Sequence, residues 1–209
     1  MTKIKNGIWI TGDCIEEMKK IDEKSIDMIL CDLPYGVTKN KWDSVIPFES
    51  LWNEYWRILK ENRCIVLTAS QPFTSALVMS QLHYFKHEWI WLKNKGSNFA
   101  NTIREPFKEH ESILIFSKGK WIYNRQMQER SEAGKQRIKY DIHSNPGNDN
   151  YNGFEKNIKL CSQQLRVPSS YQKFNVERGL HPTQKPIALF EYLIKTYTDE
   201  GMTVLDNCA

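Results

Sequence analysis

Residues 25–36, SIDMILCDLPYG, decide how the chain is read. Ser25 to Leu30 is a short apolar run of the kind that forms a buried strand, and it leads directly into Asp32, Pro34, Tyr35 and Gly36. Proline cannot donate to a strand ladder and glycine tolerates a sharp change of direction, so the strand stops here. A strand that stops at such a turn leaves the side chains of Asp32 and Tyr35 at the open edge of a sheet.

Outward from this stretch the pattern alternates. Gly7 to Thr11 (GIWIT) is a second short strand, and IEEMKKI between the two suits a brief helix. Phe48, Leu51, Trp52, Tyr55, Trp56 and Leu59 recur at three-and-four spacing, so PFESLWNEYWRILKENR is an amphipathic helix begun by Pro47. CIVLTAS is a buried strand, Gln71 opens a helix running through LVMSQLH, and HEWIWLK and ESILIFSK are two further strands. Strands alternating with helices predict an α/β fold, a doubly wound and mostly parallel sheet with helices on both faces. Ligands collect at the carboxyl ends of such strands.

From Lys118 the texture turns polar and weakly periodic, with KGKWIYNR, KQRIKYD and SNPGNDNYNG. The expected division is 1–117, an insertion over 118–175, and 176–209, where order returns with HPTQKPIALFEYLIKTYT and the strand GMTVLDNCA. With 209 residues, 40% of them hydrophobic, the chain can bury one sizeable core. Its net charge of +4 and pI of 8.7 permit a polyanionic partner without demanding one. The five cysteines form no CxxC pair, which indicates neither a zinc site nor a disulfide framework and suits a reducing cytosol. The N-terminus lacks the apolar core of a signal peptide and no run approaches a membrane span, so the expectation is a cytoplasmic protein with no membrane partner.

The DLPYG turn can do specific chemistry on a flat heteroaromatic ring bearing an exocyclic amine. The Asp32 carboxylate can accept one amine hydrogen and the main-chain carbonyl of Leu33 the other, which localises the nitrogen lone pair and aims it away from the protein, toward an electrophile. Tyr35 can stack on the ring, Pro34 stiffens the turn, and Gly36 allows close backbone approach. A nucleobase amine is out of reach inside a duplex, so the nucleotide must be extruded. Taken alone, D-x-P-Y-G is also an ordinary strand-ending turn.

Three further stretches accompany DLPYG, and the set resembles the amino-methylating DNA methyltransferases. That family's D-P-P-Y motif reads DLPYG here, with Leu33 in place of the first proline, a mild departure because the role belongs to a main-chain carbonyl. HPTQKP (181–186) resembles the segment before the family's glycine motif, which implies that Thr183 and Lys185 contact the methionine part of S-adenosylmethionine. TVLDNCA resembles the strand leading into the glycine loop and makes Asp206 and Asn207 cofactor-edge candidates. TGDC resembles the early Gly-Asp motif, bringing Asp13 and Cys14 to the adenosine, although Asp13 is equally placed to cap a helix and Thr183 and Pro186 to start one.

The resemblance implies in-line methyl transfer from S-adenosylmethionine to the amine of a flipped base, with Asp32, Leu33, Pro34 and Tyr35 as the grip and no metal. Asp at the first motif position leans toward adenine N6 over cytosine N4. Double-stranded DNA is the implied partner. Lys118, Lys120, Arg125, Arg130, Lys135, Arg137 and Lys139 of the polar insertion, interleaved with Trp121, Tyr123 and Tyr140, are the expected phosphate and base contacts.

The resemblance also places the glycine loop just beyond Ala209, so the expectation is a bacterial or phage-encoded chain of permuted motif order with an incomplete sheet. A gap, or a displaced N-terminal strand, should follow, with exposed edges that invite a complementing C-terminal fragment or a second copy. Two readings stand: an enzyme, and a catalytically impaired DNA-binding remnant.

Overall fold

The computed structural model describes residues 2–4, 7–38, 40, 43–141, 164–177, 179 and 183–209, the side chains of 3, 4 and 137–141 excepted. In chain order the elements are β1 (Thr2–Ile4), β2 (Gly7–Trp9), α1 (Cys14–Met18), β3 (Ile26–Cys31), α2 (Phe48–Ile58), β4 (Leu59–Ala69), α3 (Phe73–Ser80), β5 (Phe85–Leu92), β6 (His110–Phe116), β7 (Gln128–Glu129), α4 (Glu132–Asp141), β8 (Leu165–Arg166), β9 (Tyr171–Lys173), α5 (Ile187–Tyr197) and β10 (Val204–Leu205). They fall into two compact units. One comprises Met1–Asn124 with Ser170–Ala209, and the other is Arg125–Ser169.

The larger unit is built on a sheet of order β10-β3-β4-β6-β5-β9. β10, β3 and β4 pair in parallel, β6 is antiparallel to both β4 and β5, and β5 pairs in parallel with β9. Five of the six strands therefore run one way and β6 alone runs against them. Period-two alternation sends the buried side chains to opposite faces. On one face Ile29, Cys31, Ile65, Leu67, Leu114 and Phe116 pack against Met18 of α1, Leu51, Trp52, Tyr55 and Ile58 of α2, and Phe73 and Leu77 of α3. On the other, Met28, Leu30, Cys64, Val66, Ile113, Ile115, Trp89 and Trp91 pack against Leu189, Leu193 and Tyr197 of α5. The sheet is thus covered on both faces, as a doubly wound fold requires.

Two local outcomes differ from the sequence pattern. The helix begun by Pro47 ends at Ile58 rather than near Arg63, because Leu59 already pairs with Ile26 and the strand continues through a register shift and a left-handed Asn62. Among the described residues β2 pairs with β1 in a separate two-stranded sheet and does not join the large one. No helix among the described residues is long and apolar enough to cross a membrane. The smaller unit holds the β7–β8 pair and α4.

One buried carboxylate ties β3 to β4 and to the segment entering β10. Asp27 accepts from Lys60 Nζ at 2.7 Å, Arg63 Nε at 3.2 Å and the Thr203 main-chain N–H at 3.1 Å. Burial alone would raise its pKa, but these three donors outweigh burial and hold the carboxyl below the usual range. Asp27→Ala is expected to lower the unfolding free energy by about 2–3 kcal/mol, measured as a shift of the urea midpoint at pH 7.

Candidate active site

Because β3, β4 and β5 run one way and β6 the other, the carboxyl ends of the first three share an edge with the start of β6. Each of these four neighbouring strands brings one polar side chain to that edge: Asp32 just past β3, Thr68 near the end of β4, Glu111 at the start of β6 and Lys93 just past β5. A fifth, Lys185, comes from the segment that enters α5.

Asp32 is anchored through Oδ1. It accepts from the Thr68 hydroxyl and, at 2.8 Å, from the Tyr35 hydroxyl, and the two hydroxyls lie 2.9 Å apart. Its carboxylate also receives Lys185 Nζ at 2.8 Å, yet the side chain keeps 27% of its surface open. Lys185 is 9% exposed and lies 3.3 Å from Glu111 Oε2, while Glu111 Oε1 is bound by Lys93. The result is a row of alternating charges, Asp32, Lys185, Glu111 and Lys93. Burial disfavours the Lys185 ammonium, but Asp32 and Glu111 outweigh it and hold its pKa above the ordinary lysine value.

Tyr35 is held as firmly. Its ring stacks on Phe73 with centroids 5.3 Å apart, and the Lys185 ammonium stands over the ring at 5.4 Å. Burial, reinforced by the Asp32 charge, pushes the phenol well above its usual pKa, so it stays a neutral donor. Leu33 points its side chain into the core, which leaves its main chain as the functional part. Gly36 has φ +68°, and a Cβ there would come within 2.8 Å of Val45 Cγ2, so the turn requires glycine. The loop beyond it is cinched by Asp43, whose carboxylate accepts the N–H groups of Gly36, Val37 and Thr38 at 2.8, 3.0 and 2.6 Å.

Residues 26–207 match the DNA methylase family, N6_N4_Mtase. The chain belongs to that family. It is 26% identical to Type II methyltransferase M.HpaI of Haemophilus parainfluenzae, across 94% of this chain and 62% of that protein. It is 28% identical to DNA adenine methyltransferase YhdJ of Escherichia coli K12, across 96% of this chain and 70% of that one. Among solved structures, the M1.HpyAVI–SAM complex superposes with TM-score 0.55 at 23% identity, covering 94% of this chain and 80% of that one. The cytosine-N4-specific PvuII DNA methyltransferase gives TM-score 0.60 at 14% identity, covering 93% and 71%. The fold is therefore that of the DNA methyltransferases.

Two of the cofactor candidates lie at the next strand along. Asp206 and Asn207 follow β10, the neighbour of β3. Asp206 Oδ1 accepts the Cys208 N–H at 2.9 Å, and burial, with a smaller push from the Asp32 charge, raises its carboxyl. Asn207 Oδ1 receives the Tyr55 hydroxyl at 2.5 Å. Asp13 caps α1, its Oδ1 accepting the N–H groups of Ile15 and Glu16 at 3.0 and 3.1 Å. The Cys14 thiol lies against Cys208, which raises its pKa. Lys185, expected on the methionine part of a cofactor, instead gives its ammonium to Asp32 and Glu111, and Thr183 stands exposed in the turn before α5.

The expected DNA contacts are dispersed. Lys118 and Lys120 follow the Phe116 end of β6, and since β6 runs against β3 they emerge at the opposite edge of the sheet from Asp32. Lys118 sits over the rings of Trp56 and Tyr84 at 4.9 and 5.5 Å. Lys120 lines a cavity of about 570 Å³ with His87, Trp121 and Tyr123. These residues belong to the larger unit, which runs to Asn124 before the smaller one begins. In the smaller unit Arg125 is exposed, Arg130 donates to the Leu165 carbonyl at 2.9 Å and Lys135 pairs with Glu132 at 2.7 Å. The side chains of Arg137 and Lys139, like His181 and Pro182 of HPTQKP, lie outside the described residues.

Thr68, Glu111, Lys93 and Asp43 were missed by sequence reasoning. Glu111 and Lys93 carried one usable signal, opposite charges at facing ends of two strands joined by a single connection.

Proposed function

We propose that this DNA methylase chain grips the exocyclic amine of an extruded base, adenine N6, for methyl transfer from S-adenosylmethionine. The observation that carries the reading is Asp32: anchored through one oxygen by Thr68 and Tyr35 and met at the other by Lys185, its side chain still keeps 27% of its surface open at a strand end, where an amine N–H can be accepted. The Leu33 carbonyl takes the second N–H, and Tyr35 keeps the ring in plane. The amine then attacks with its lone pair, and its proton departs after the methyl arrives, so Asp32 acts as an oriented acceptor of hydrogen bonds and of developing positive charge.

When bound, S-adenosylmethionine supplies a methyl group on a sulfonium cation. The residues fit such a ligand: Asp32 and Asp206, at the ends of adjacent strands, feel each other's charge, and a cation beside them relieves it. Asp206 and Asn207, with Asp13 and Cys14, are the residues that would hold it. The adenine reading draws on the Asp at the first motif position and on the likeness to YhdJ. The substrate is duplex DNA in a bacterial cytoplasm. Among the described residues β10 pairs only with β3, so its outer edge can accept a second copy or a complementing fragment.

Incubation with tritium-labelled S-adenosylmethionine and genomic DNA from a strain lacking amino-methylation, followed by nucleoside mass spectrometry, is expected to yield N6-methyladenine. N4-methylcytosine would replace the adenine assignment. A folded chain that incorporates no label would leave the DNA-binding remnant as the correct reading.

A further inference from the structure

The row of charges behind Asp32 turns on Glu111, which has no role in gripping a base. Glu111 is 12% exposed, its Oε1 is bound by Lys93, and its Oε2 is buried and accepts no hydrogen bond among the described residues. A buried carboxylate oxygen without a hydrogen bond is costly, and where one persists it needs an explanation. The Lys185 ammonium stands 3.3 Å from that oxygen while making its 2.8 Å contact with Asp32.

Lys185 in that position opposes the chemistry assigned to Asp32. The carboxylate has about four lone-pair sites. Thr68 and Tyr35 use Oδ1, and the ammonium competes for the oxygen the amine needs. As the amine attacks, its nitrogen becomes cationic, and an ammonium in contact with the same carboxylate repels that charge and neutralises the anion meant to stabilise it. The ammonium also stands over the Tyr35 ring, on which the base is read to stack. Glu111 Oε2, 3.3 Å away, offers the ammonium a second carboxylate, so Lys185 can yield Asp32 to the amine and still remain paired.

We propose that Glu111 is a positioning residue: it receives the Lys185 ammonium when the base amine takes Asp32, and Lys93 holds Glu111 in place to do so. The proposal rests on the base-gripping reading above. The net charge of the row is unchanged by the swing, since both carboxylates and both ammoniums keep their protonation states. Without the Glu111 charge, Asp32 is the carboxylate left to Lys185 among the described residues, and Lys185 remains clamped on it.

The test is Glu111→Gln, assayed with labelled S-adenosylmethionine on the same genomic DNA, alone and combined with Lys185→Met. Glu111→Gln is expected to lower kcat by roughly tenfold, a size typical of residues that orient a reacting group, with KM for S-adenosylmethionine unchanged. On the Lys185→Met background the same substitution is expected to change kcat by less than about twofold, because no ammonium is left to move. The Nζ resonance of Lys185, assigned by its loss in Lys185→Met, is expected to shift on adding DNA to the parent and to stay fixed in Glu111→Gln. Equal kcat for parent and Glu111→Gln, or an undiminished loss on the Lys185→Met background, overturns the proposal while leaving the base grip standing. A parent that transfers no methyl group overturns both. Should Glu111→Gln fail to fold, Glu111→Asp keeps the charge but retracts it by one methylene, and an unchanged kcat there overturns the proposal equally.

Discussion

Asp32→Ala is expected to abolish methyl transfer, by about a thousandfold or more, while leaving the chain folded. The substitution removes the acceptor for the amine N–H and the negative charge that faces the nitrogen as it becomes cationic. It also frees three donors, but none is stranded. The Thr68 and Tyr35 hydroxyls lie 2.9 Å apart and can bond to each other, and Lys185 has Glu111 Oε2 at 3.3 Å. The fold therefore loses little, because the core beneath, Ile29, Cys31 and Leu67, is untouched. Asp32→Asn is expected to be nearly as inactive: the amide keeps one acceptor oxygen but turns an NH2 group toward Lys185 or toward the substrate amine, and either is a donor facing a donor. The measurements are initial rates of label incorporation and a thermal melt of each variant. Either variant retaining more than a tenth of parental activity would remove Asp32 from the site.

The charge row shows what sequence can and cannot carry. CIVLTAS was legible as a buried strand because its residues alternate between two apolar faces, and the structure divides Ile65 and Leu67 from Cys64 and Val66 in that way. Asp32 and Tyr35 were legible because the turn chemistry that ends β3 is local, confined to five residues. Thr68 was hidden by its own suitability for a strand: a β-branched residue in a β-strand attracts no notice until its hydroxyl is seen against a carboxylate from the neighbouring strand. Lys185 was legible as a site candidate, but its carboxylate partner was not. Its place before α5 is local, but the carboxylate it meets is 153 residues away in sequence. The placement of Lys118 and Lys120 was hidden for a topological reason, since composition does not reveal that β6 runs against its neighbours and delivers them to the far edge.

Asp43→Ala is expected to destabilise the chain by about 3 kcal/mol and to cripple the site from outside it. Asp43 is buried, and both its oxygens are committed: Oδ1 to the Gly36 N–H, and Oδ2 to the N–H groups of Val37 and Thr38. Three successive amides converging on one carboxylate fix the path of the loop that follows Tyr35, and with it the left-handed Gly36. Burial works to raise this carboxyl, yet the hydrogen bonds from Thr38, Gly36 and Val37 prevail and hold it below the usual range. A carboxyl with a lowered folded pKa contributes stability above its unfolded value, and that contribution is lost as pH falls through the folded value. The gap in urea midpoint between parent and Asp43→Ala should therefore be widest near neutrality and narrow below about pH 4. Asp43→Asn should resemble Asp43→Ala, because its NH2 group would face amide donors. Asp43→Glu should recover part of the stability, since the longer arm can still accept. A midpoint gap that stays constant from pH 7 to strong acid would mean that the charge of Asp43 does not hold the loop.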